Sequence, residues 1–107
     1  DHHRTSTYIT DTVRTLANII ENFKAGEVYN ICGDEYHDIV SLSNMILKEL
    51  GKDDSKVNYV NIERHNTMDK KGNNVKAKKD LDHMITISLE QGIKKTIEWQ
   101  KKEYGII

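Results

Sequence analysis

The chain has 107 residues, of which 36% are hydrophobic and 31% charged, and its net charge is -1. This size supports one domain with one modest core, and the near-zero charge points to neither nucleic acid nor an anionic membrane as a partner. No apolar run approaches the roughly 20 residues that span a bilayer. Cys32 is the single cysteine, which excludes an intramolecular disulfide and a Cys-rich zinc site. We expect a cytoplasmic protein with no membrane segment.

The first third of the chain predicts a helix followed by a strand. After an extended run over residues 5–9, Thr10 is the predicted N-cap, with Asp11 in the first turn, where a carboxylate suits the helix dipole. The apolar positions of this helix form one stripe, which consists of Val13, Leu16, Ala17, Ile19, Ile20 and Phe23. Gly26 ends the helix, and residues 27–32 predict a strand bounded by glycines.

The middle of the chain repeats this order. Asp38 or Ser41 caps a second predicted helix, which ends at Gly51 in the position that favours a left-handed residue. Residues 56–62 are rich in β-formers and predict a second strand. A polar loop follows and runs to residue 74.

The last third predicts two helices. A short one covers residues 75–81, and a long one opens at the capping box formed by Ser88 and Gln91. Because two strands separated by a helix favour a right-handed parallel crossover, we expect an α/β fold with a small parallel sheet of about two strands and about four helices. The whole of residues 1–107 forms one predicted domain.

Neither the histidines nor the lysines predict a site by themselves. His2 and His3 are adjacent, but the sequence has neither a His-Glu-x-x-His helix nor a Cys-His set, so we expect no metal site. The lysines between residues 70 and 79 stand beside Asp69 and Asp80, which favours a solvated face over a phosphate or nucleic-acid patch.

Five motifs follow one another along the chain. They are Arg-x-x-x-Tyr-[IV]-x-Asp at Arg4, Tyr8 and Asp11; Gly-Glu-Val-Tyr-Asn-Ile at 26–31; a leucine-rich helix with a Leu-Gly turn at 41–51; Lys-Ala-x-x-x-Leu at 76–81; and Ser-Leu-Glu-Gln-Gly-x-x-x-Thr-Ile-x-Trp at 88–99. In this order they resemble the C-terminal, substrate-binding part of the NAD-dependent nucleotide-sugar epimerases and dehydratases, which are extended short-chain dehydrogenases/reductases.

The resemblance implies which residues bind the substrate, a nucleotide-diphosphate sugar. Arg4 occupies the place of an arginine that binds the diphosphate, and a guanidinium offers a planar fork to phosphate oxygens. Arg64 would be a second such arginine, although His65 and Asn66 replace the proline and glycine of the family's loop. Asn30, in the Tyr-Asn-Ile motif, is a third candidate, with a turn hydrogen bond as its alternative role. Cys32 replaces a family glycine and is expected to be a buried apolar residue rather than a nucleophile.

The residues for chemistry are missing from this chain. Its six glycines never form Gly-x-x-Gly, the turn that holds NAD at a helix N-terminus, and no tyrosine is followed four residues later by lysine. The resemblance implies a parent enzyme in which an N-terminal Rossmann domain binds NAD, oxidises a sugar carbon and later returns the hydride. This chain, which begins with Asp rather than Met, is then an inactive fragment that lacks catalytic residues and binds no NAD alone. A stand-alone module that binds or self-associates is the alternative. Exposed apolar surface predicts a homo-oligomer under either hypothesis.

Overall fold

The computed structural model describes residues 2–105 and contains two short strands and four helices. In chain order these are β1 (His3–Thr5), α1 (Ile9–Asn22), β2 (Tyr36–Asp38), α2 (Ile39–Glu49), α3 (Val75–Leu81) and α4 (Leu89–Tyr104). The α/β class predicted from the sequence is confirmed.

The helix ends follow local chemistry. The side chain of Asp38 caps α2 by accepting a hydrogen bond from the backbone N–H of Ser41 at 3.2 Å, and Gly51 follows the helix with a φ of 64°. At the start of α4, Ser88 and Gln91 form both hydrogen bonds of the predicted capping box. The first helix differs from its prediction, because its N-cap is Tyr8 instead of Thr10.

The sheet differs from the expectation in its strands and its direction. β1 pairs with β2 in the antiparallel sense, with Arg4 opposite His37, and a single parallel bridge joins His3 to Asp69 on the other side of β1. Residues 27–32 and 56–62 form neither a helix nor a ladder, and Lys56 lies in a turn. A strand needs a neighbour as well as β-forming residues, and this chain places none beside either segment.

Side chains hold residues 27–32 in place of a ladder. The Tyr29 hydroxyl donates to the Asp80 carboxylate at 2.9 Å, and the Lys76 ammonium donates to the carbonyl of Val28 at 3.1 Å. Burial of the phenol, together with the Asp80 carboxylate, raises the pKa of Tyr29. The segment is therefore anchored on α3, but it lacks the backbone hydrogen bonds that a strand makes.

Helix α1 packs on α3, and α2 packs on α4 and on β2. Few apolar side chains are buried between them: Ala77, Leu81 and Ile97. The radius of gyration is 16.6 Å and the extents are 50 × 36 × 19 Å, whereas a compact domain of this length has a radius of about 13 Å. The chain is thus a flat plate with a small core. None of the helices in the described part of the chain is long and apolar enough to cross a membrane.

Helix α1 has its polar side buried and its apolar side exposed. Asp11 and Thr15 are its buried residues and face α3 and the segment after it. The exposed apolar stripe of α1 consists of Ile9, Val13, Leu16, Ile20 and Phe23, of which Ile20 is 83% exposed. An amphipathic helix normally buries its apolar side, so this stripe is the surface on which another structure is expected to pack.

Candidate functional site

A polar cleft of about 340 Å³ opens where β1, the end of the 27–32 segment and residues 71–74 meet. It is lined by Thr5, Gly33, Asp34, Lys71, Gly72, Asn73 and Asn74. Gly33 permits this meeting, because a Cβ at that position would lie 2.1 Å from the carbonyl oxygen of Ser6. Any larger residue would force apart the two segments that form the wall of the cleft.

Arg4 lies on β1 immediately before the cleft residue Thr5, and its side chain is held by three backbone carbonyls. Its Nη1 donates to the carbonyls of His3 at 2.7 Å and Met68 at 2.9 Å, and its Nη2 donates to Thr67 at 2.8 Å. A guanidinium has five N–H donors. Within residues 2–105, the Nε–H and one Nη2–H of Arg4 make no hydrogen bond, so two donors of a fixed side chain remain for a ligand.

The loop that holds Arg4 is itself attached to β1. The backbone N–H of His3 donates to Met68 at 2.8 Å, and the N–H of Lys70 donates to His3 at 3.1 Å. The imidazole Nδ1 of His3 lies 2.8 Å from a carboxylate oxygen of Asp69, and this contact lowers the pKa of Asp69. β1 and residues 67–70 therefore form one unit around the guanidinium.

The charges of the cleft are partly paired. Asp34 accepts hydrogen bonds from the Lys78 ammonium at 2.9 Å and the Asn74 amide at 2.8 Å, and these lower the pKa of its carboxyl group. Lys71 has an aromatic neighbour, with its Nζ 5.3 Å from the ring centre of Tyr36. The cleft therefore offers an ionised but neutralised carboxylate, amide groups and a lysine, which suits a polar ligand with an anionic group.

None of the three predicted site residues lines this cleft, but two of them are next to residues that do. Arg4 precedes the lining residue Thr5 on β1, and the side-chain amide of Asn30 donates to the carbonyl of the lining residue Asn73 at 3.4 Å. Arg64 does not line it and lies exposed in a turn whose next residue, His65, has a φ of 66°. The binding roles of all three remain predictions.

The sequence did not predict that residues 71–74 form a wall of the cleft. Lys71 was assigned to a solvated face, and Asn73 and Asn74 lay in a loop without periodicity. The available signal was the Gly72-Asn73-Asn74 run just before α3, since such residues favour tight turns with side-chain hydrogen bonds.

A buried polar network supports the back of the cleft. His83 is 2% exposed; its Nε2 donates to the Cys32 carbonyl at 2.8 Å, and its Nδ1 lies 2.7 Å from the Thr15 hydroxyl. Since a carbonyl can only accept, Nε2 carries a proton. Burial and the charge of Asp34 raise the pKa of the Cys32 thiol, which disfavours the nucleophilic thiolate.

Two of the helix N-termini in residues 2–105, the kind of position that can bind the phosphates of a dinucleotide, are capped by side chains. A dinucleotide needs a glycine-rich turn and free amides at a helix N-terminus. Here Asp38 caps α2, Ser88 caps α4, and the Glu35 carboxylate accepts the Leu89 N–H at 2.9 Å. Over residues 2–105 there is also no group of three or more His, Cys, Asp or Glu side chains that could hold a metal ion.

Comparison with known proteins relates the chain to nucleotide-sugar enzymes. No family model matches it. It is 29% identical over 107 residues to mouse dTDP-D-glucose 4,6-dehydratase, covering 91% of the chain and 29% of that protein. Its fold matches Bacillus anthracis dTDP-glucose 4,6-dehydratase in complex with NAD with a TM-score of 0.86 and 26% identity, over 97% of the chain and 33% of that structure.

A second group of matches consists of epimerases. UDP-glucuronic acid 4-epimerase from Bacillus cereus, in complex with NAD, matches with a TM-score of 0.80 and 30% identity, over 96% of the chain and 32% of that structure. A mutant of the same enzyme, bound to NAD and UDP-4-deoxy-4-fluoro-glucuronic acid, gives 0.85 and 28%, over 96% of the chain and 33% of that structure.

These matches confirm the resemblance that the motifs predicted. In sequence and fold the chain is related to the nucleotide-sugar dehydratases and epimerases of the extended short-chain dehydrogenase/reductase class. It spans about a third of the length of the relatives it matches, from 29% to 33%.

Proposed function

We propose that this chain is the substrate-binding part of an NAD-dependent nucleotide-sugar dehydratase or epimerase and holds the diphosphate end of the substrate beside Arg4. The main support for this proposal is that 97% of the chain matches one third of a dehydratase whose structure is in complex with NAD. NAD and the reacting groups belong to the rest of the enzyme, a proposal supported by the lack of Gly-x-x-Gly and Tyr-x-x-x-Lys in this sequence. The chain alone is inactive under this proposal.

The geometry of Arg4 supports its role at the diphosphate. Three carbonyl contacts fix the guanidinium before any ligand arrives, so little side-chain entropy is lost on binding. The two remaining donors and the permanent positive charge suit a pair of phosphate oxygens. Lys71 and Asn73 in the cleft supply further polar groups. The side-chain amide of Asn30 donates a hydrogen bond to the carbonyl of Asn73.

The exposed stripe of α1 supports the existence of a larger enzyme around this chain. An apolar helical surface is followed in sequence by the segment 27–32, which belongs to no ladder and in which Val28 is 80% exposed. A helix that covers the face of a sheet, with a strand that extends its edge, is the α/β arrangement that satisfies both surfaces. We propose that the sheet of the NAD-binding part occupies this position.

A stand-alone module that self-associates remains the second candidate. The same exposed stripe favours it, because two copies could bury their α1 helices against each other. In the purely self-associating form of this hypothesis the chain binds no nucleotide diphosphate, and its Arg4 serves only to hold residues 67 and 68. The two hypotheses therefore differ in ligand binding.

Titration of the isotope-labelled chain with uridine diphosphate and thymidine diphosphate, followed by backbone amide shifts in NMR, tests the proposal. We expect saturable shifts at Arg4, Thr5 and residues 71–74. Uridine, which lacks phosphate, should give no such shifts. Arg4→Lys keeps the charge but loses the fork, and we expect about tenfold weaker binding, which corresponds to about 1.4 kcal/mol.

The shifts of the backbone amides in this titration decide between the two hypotheses. The 67–70 amides report whether Arg4→Lys has displaced the loop, so a loss of binding with unchanged loop shifts assigns the effect to phosphate contact. Absence of saturable shifts with both diphosphates at millimolar concentration would contradict a diphosphate site in this chain and favour the self-associating module.

A further inference from the structure

The cleft wall formed by residues 71–74 approaches residue 32 more closely than a side chain at Gly72 would permit. A Cβ at Gly72 would lie 2.6 Å from the Cys32 sulfur and 3.3 Å from its Cβ. The φ of Gly72 is outside the left-handed range, so the backbone itself would accept alanine. Gly72 is therefore required by its contact with Cys32 and not by its own conformation.

A second attachment fixes the same wall to the same residue. Asn74 is 8% exposed, and its side-chain amide donates to the Cys32 carbonyl at 2.9 Å and to the Asp34 carboxylate at 2.8 Å. The His83 imidazole also donates to the Cys32 carbonyl, at 2.8 Å. Residue 32 thus holds Asn74 through its carbonyl, while its thiol occupies the space that a side chain at Gly72 would need.

We infer that Gly72, by accommodating the Cys32 thiol, is a positioning residue that sets Lys71 and Asn73 in the polar cleft. Those two residues flank Gly72 in sequence and line the cleft opposite Thr5. A methyl group at residue 72 must displace the Cys32 sulfur, and with the sulfur rotated away it would still lie 3.3 Å from the Cys32 Cβ. Because the carbonyl of Cys32 is held in place by two side chains, we expect the 71–74 wall to give way from the 27–32 segment. The wall would then carry Lys71 and Asn73 out of position. The ligand named for the cleft rests on the proposed function, whereas the Gly72–Cys32 contact does not.

Compensating substitutions test this inference. Gly72→Ala should shift the amides of Thr5, which lines the cleft, and Tyr36, which contacts Lys71, and should weaken binding of uridine diphosphate about tenfold. The double variant Cys32→Gly with Gly72→Ala restores the space and should return both amide shifts and affinity to near the original values. Gly92→Ala is the matched control, since a Cβ there meets the Tyr8 ring at 3.4 Å, in ordinary contact, and Gly92 does not line the polar cleft.

Each outcome decides the inference. Unchanged Thr5 and Tyr36 amides in Gly72→Ala would overturn it, as would a double variant that recovers neither shifts nor affinity. If Gly72→Ala fails to fold and the double variant folds with near-original amide shifts, the inference is supported, because only the Cys32 contact separates the two variants. If no variant binds the nucleotide, the proposed function fails and the amide shifts alone decide the role of Gly72.

Discussion

The carboxylate of Asp11 receives both hydrogen bonds that Thr86 can donate, from the hydroxyl at 2.6 Å and from the backbone N–H at 3.0 Å. The N–H of Ile87 adds a third at 3.1 Å. Asp11 is 1% exposed. One buried side chain in the first turn of α1 thus fixes the approach to α4, which follows Ser88.

Replacement of Asp11 by asparagine should destabilise the chain by about 2 kcal/mol at pH 7, because an amide cannot accept all of these bonds. Burial acts to raise the pKa of Asp11, but the bonds from Thr86 and Ile87 and the charge of Arg14 outweigh it and lower that pKa overall. Stability from this carboxylate is therefore full above the unfolded value of about 3.9 and is lost as pH falls through the lower folded value.

Urea unfolding at pH 7 and at pH 3 measures this effect. The gap in unfolding free energy between the original chain and Asp11→Asn should narrow toward acid pH. The control Asp54→Asn removes an exposed carboxylate and should change stability by less than about 0.5 kcal/mol. A gap that is constant across this range would contradict the assigned role of the ionised carboxylate.

Replacement of Asp82 by glycine should stabilise the chain. Asp82 ends α3 with a φ of 51°, a left-handed conformation that costs a side-chain-bearing residue energy. We expect a gain of about 0.5 kcal/mol in unfolding free energy, measured by urea denaturation. Asp82→Ala separates conformation from charge: it removes the same carboxylate from the helix C-terminus but keeps the strain, so it should not stabilise. Equal gains from both variants would attribute the effect to charge.

Replacement of Ile20 by glutamate should reduce self-association without loss of stability. Ile20 is 83% exposed in the exposed apolar stripe of α1. The substitution should therefore change the unfolding free energy of the chain by less than about 0.5 kcal/mol. Analytical ultracentrifugation should show a lower association constant. Thr10→Glu adds the same charge to an exposed position of α1 outside the stripe and should leave association unchanged. Equal association of all three proteins would show that the stripe does not join copies of this chain.

The features that sequence could predict are those set by neighbouring residues. Asp38 capping α2, Gly51 ending it and the Ser88 capping box each depend on residues within one or two turns, and the structure has all three. The strand predictions for residues 27–32 and 56–62 were wrong, because pairing depends on a neighbour that composition cannot supply.

In the candidate site, too, features set by neighbouring residues could be predicted, and contacts between distant residues could not. The motif singled out Arg4, but its contacts with the carbonyls of Thr67 and Met68 join residues more than 60 positions apart. The Gly72 contact with Cys32 likewise depends on the path of a loop that has no periodic pattern. Local motifs could therefore predict a member of the site, whereas the opposite wall of the cleft required the fold.

The central claim is that this chain works as the substrate-binding part of a larger NAD-dependent enzyme, and the complete coding sequence upstream of Asp1 tests it most directly. We predict, in frame, a strand followed by Gly-x-x-Gly-x-x-Gly and, further on, Tyr-x-x-x-Lys, which together supply the dinucleotide turn and the catalytic pair. A start codon immediately before Asp1, with neither motif in frame, would contradict the claim and leave binding or self-association as the function of the chain.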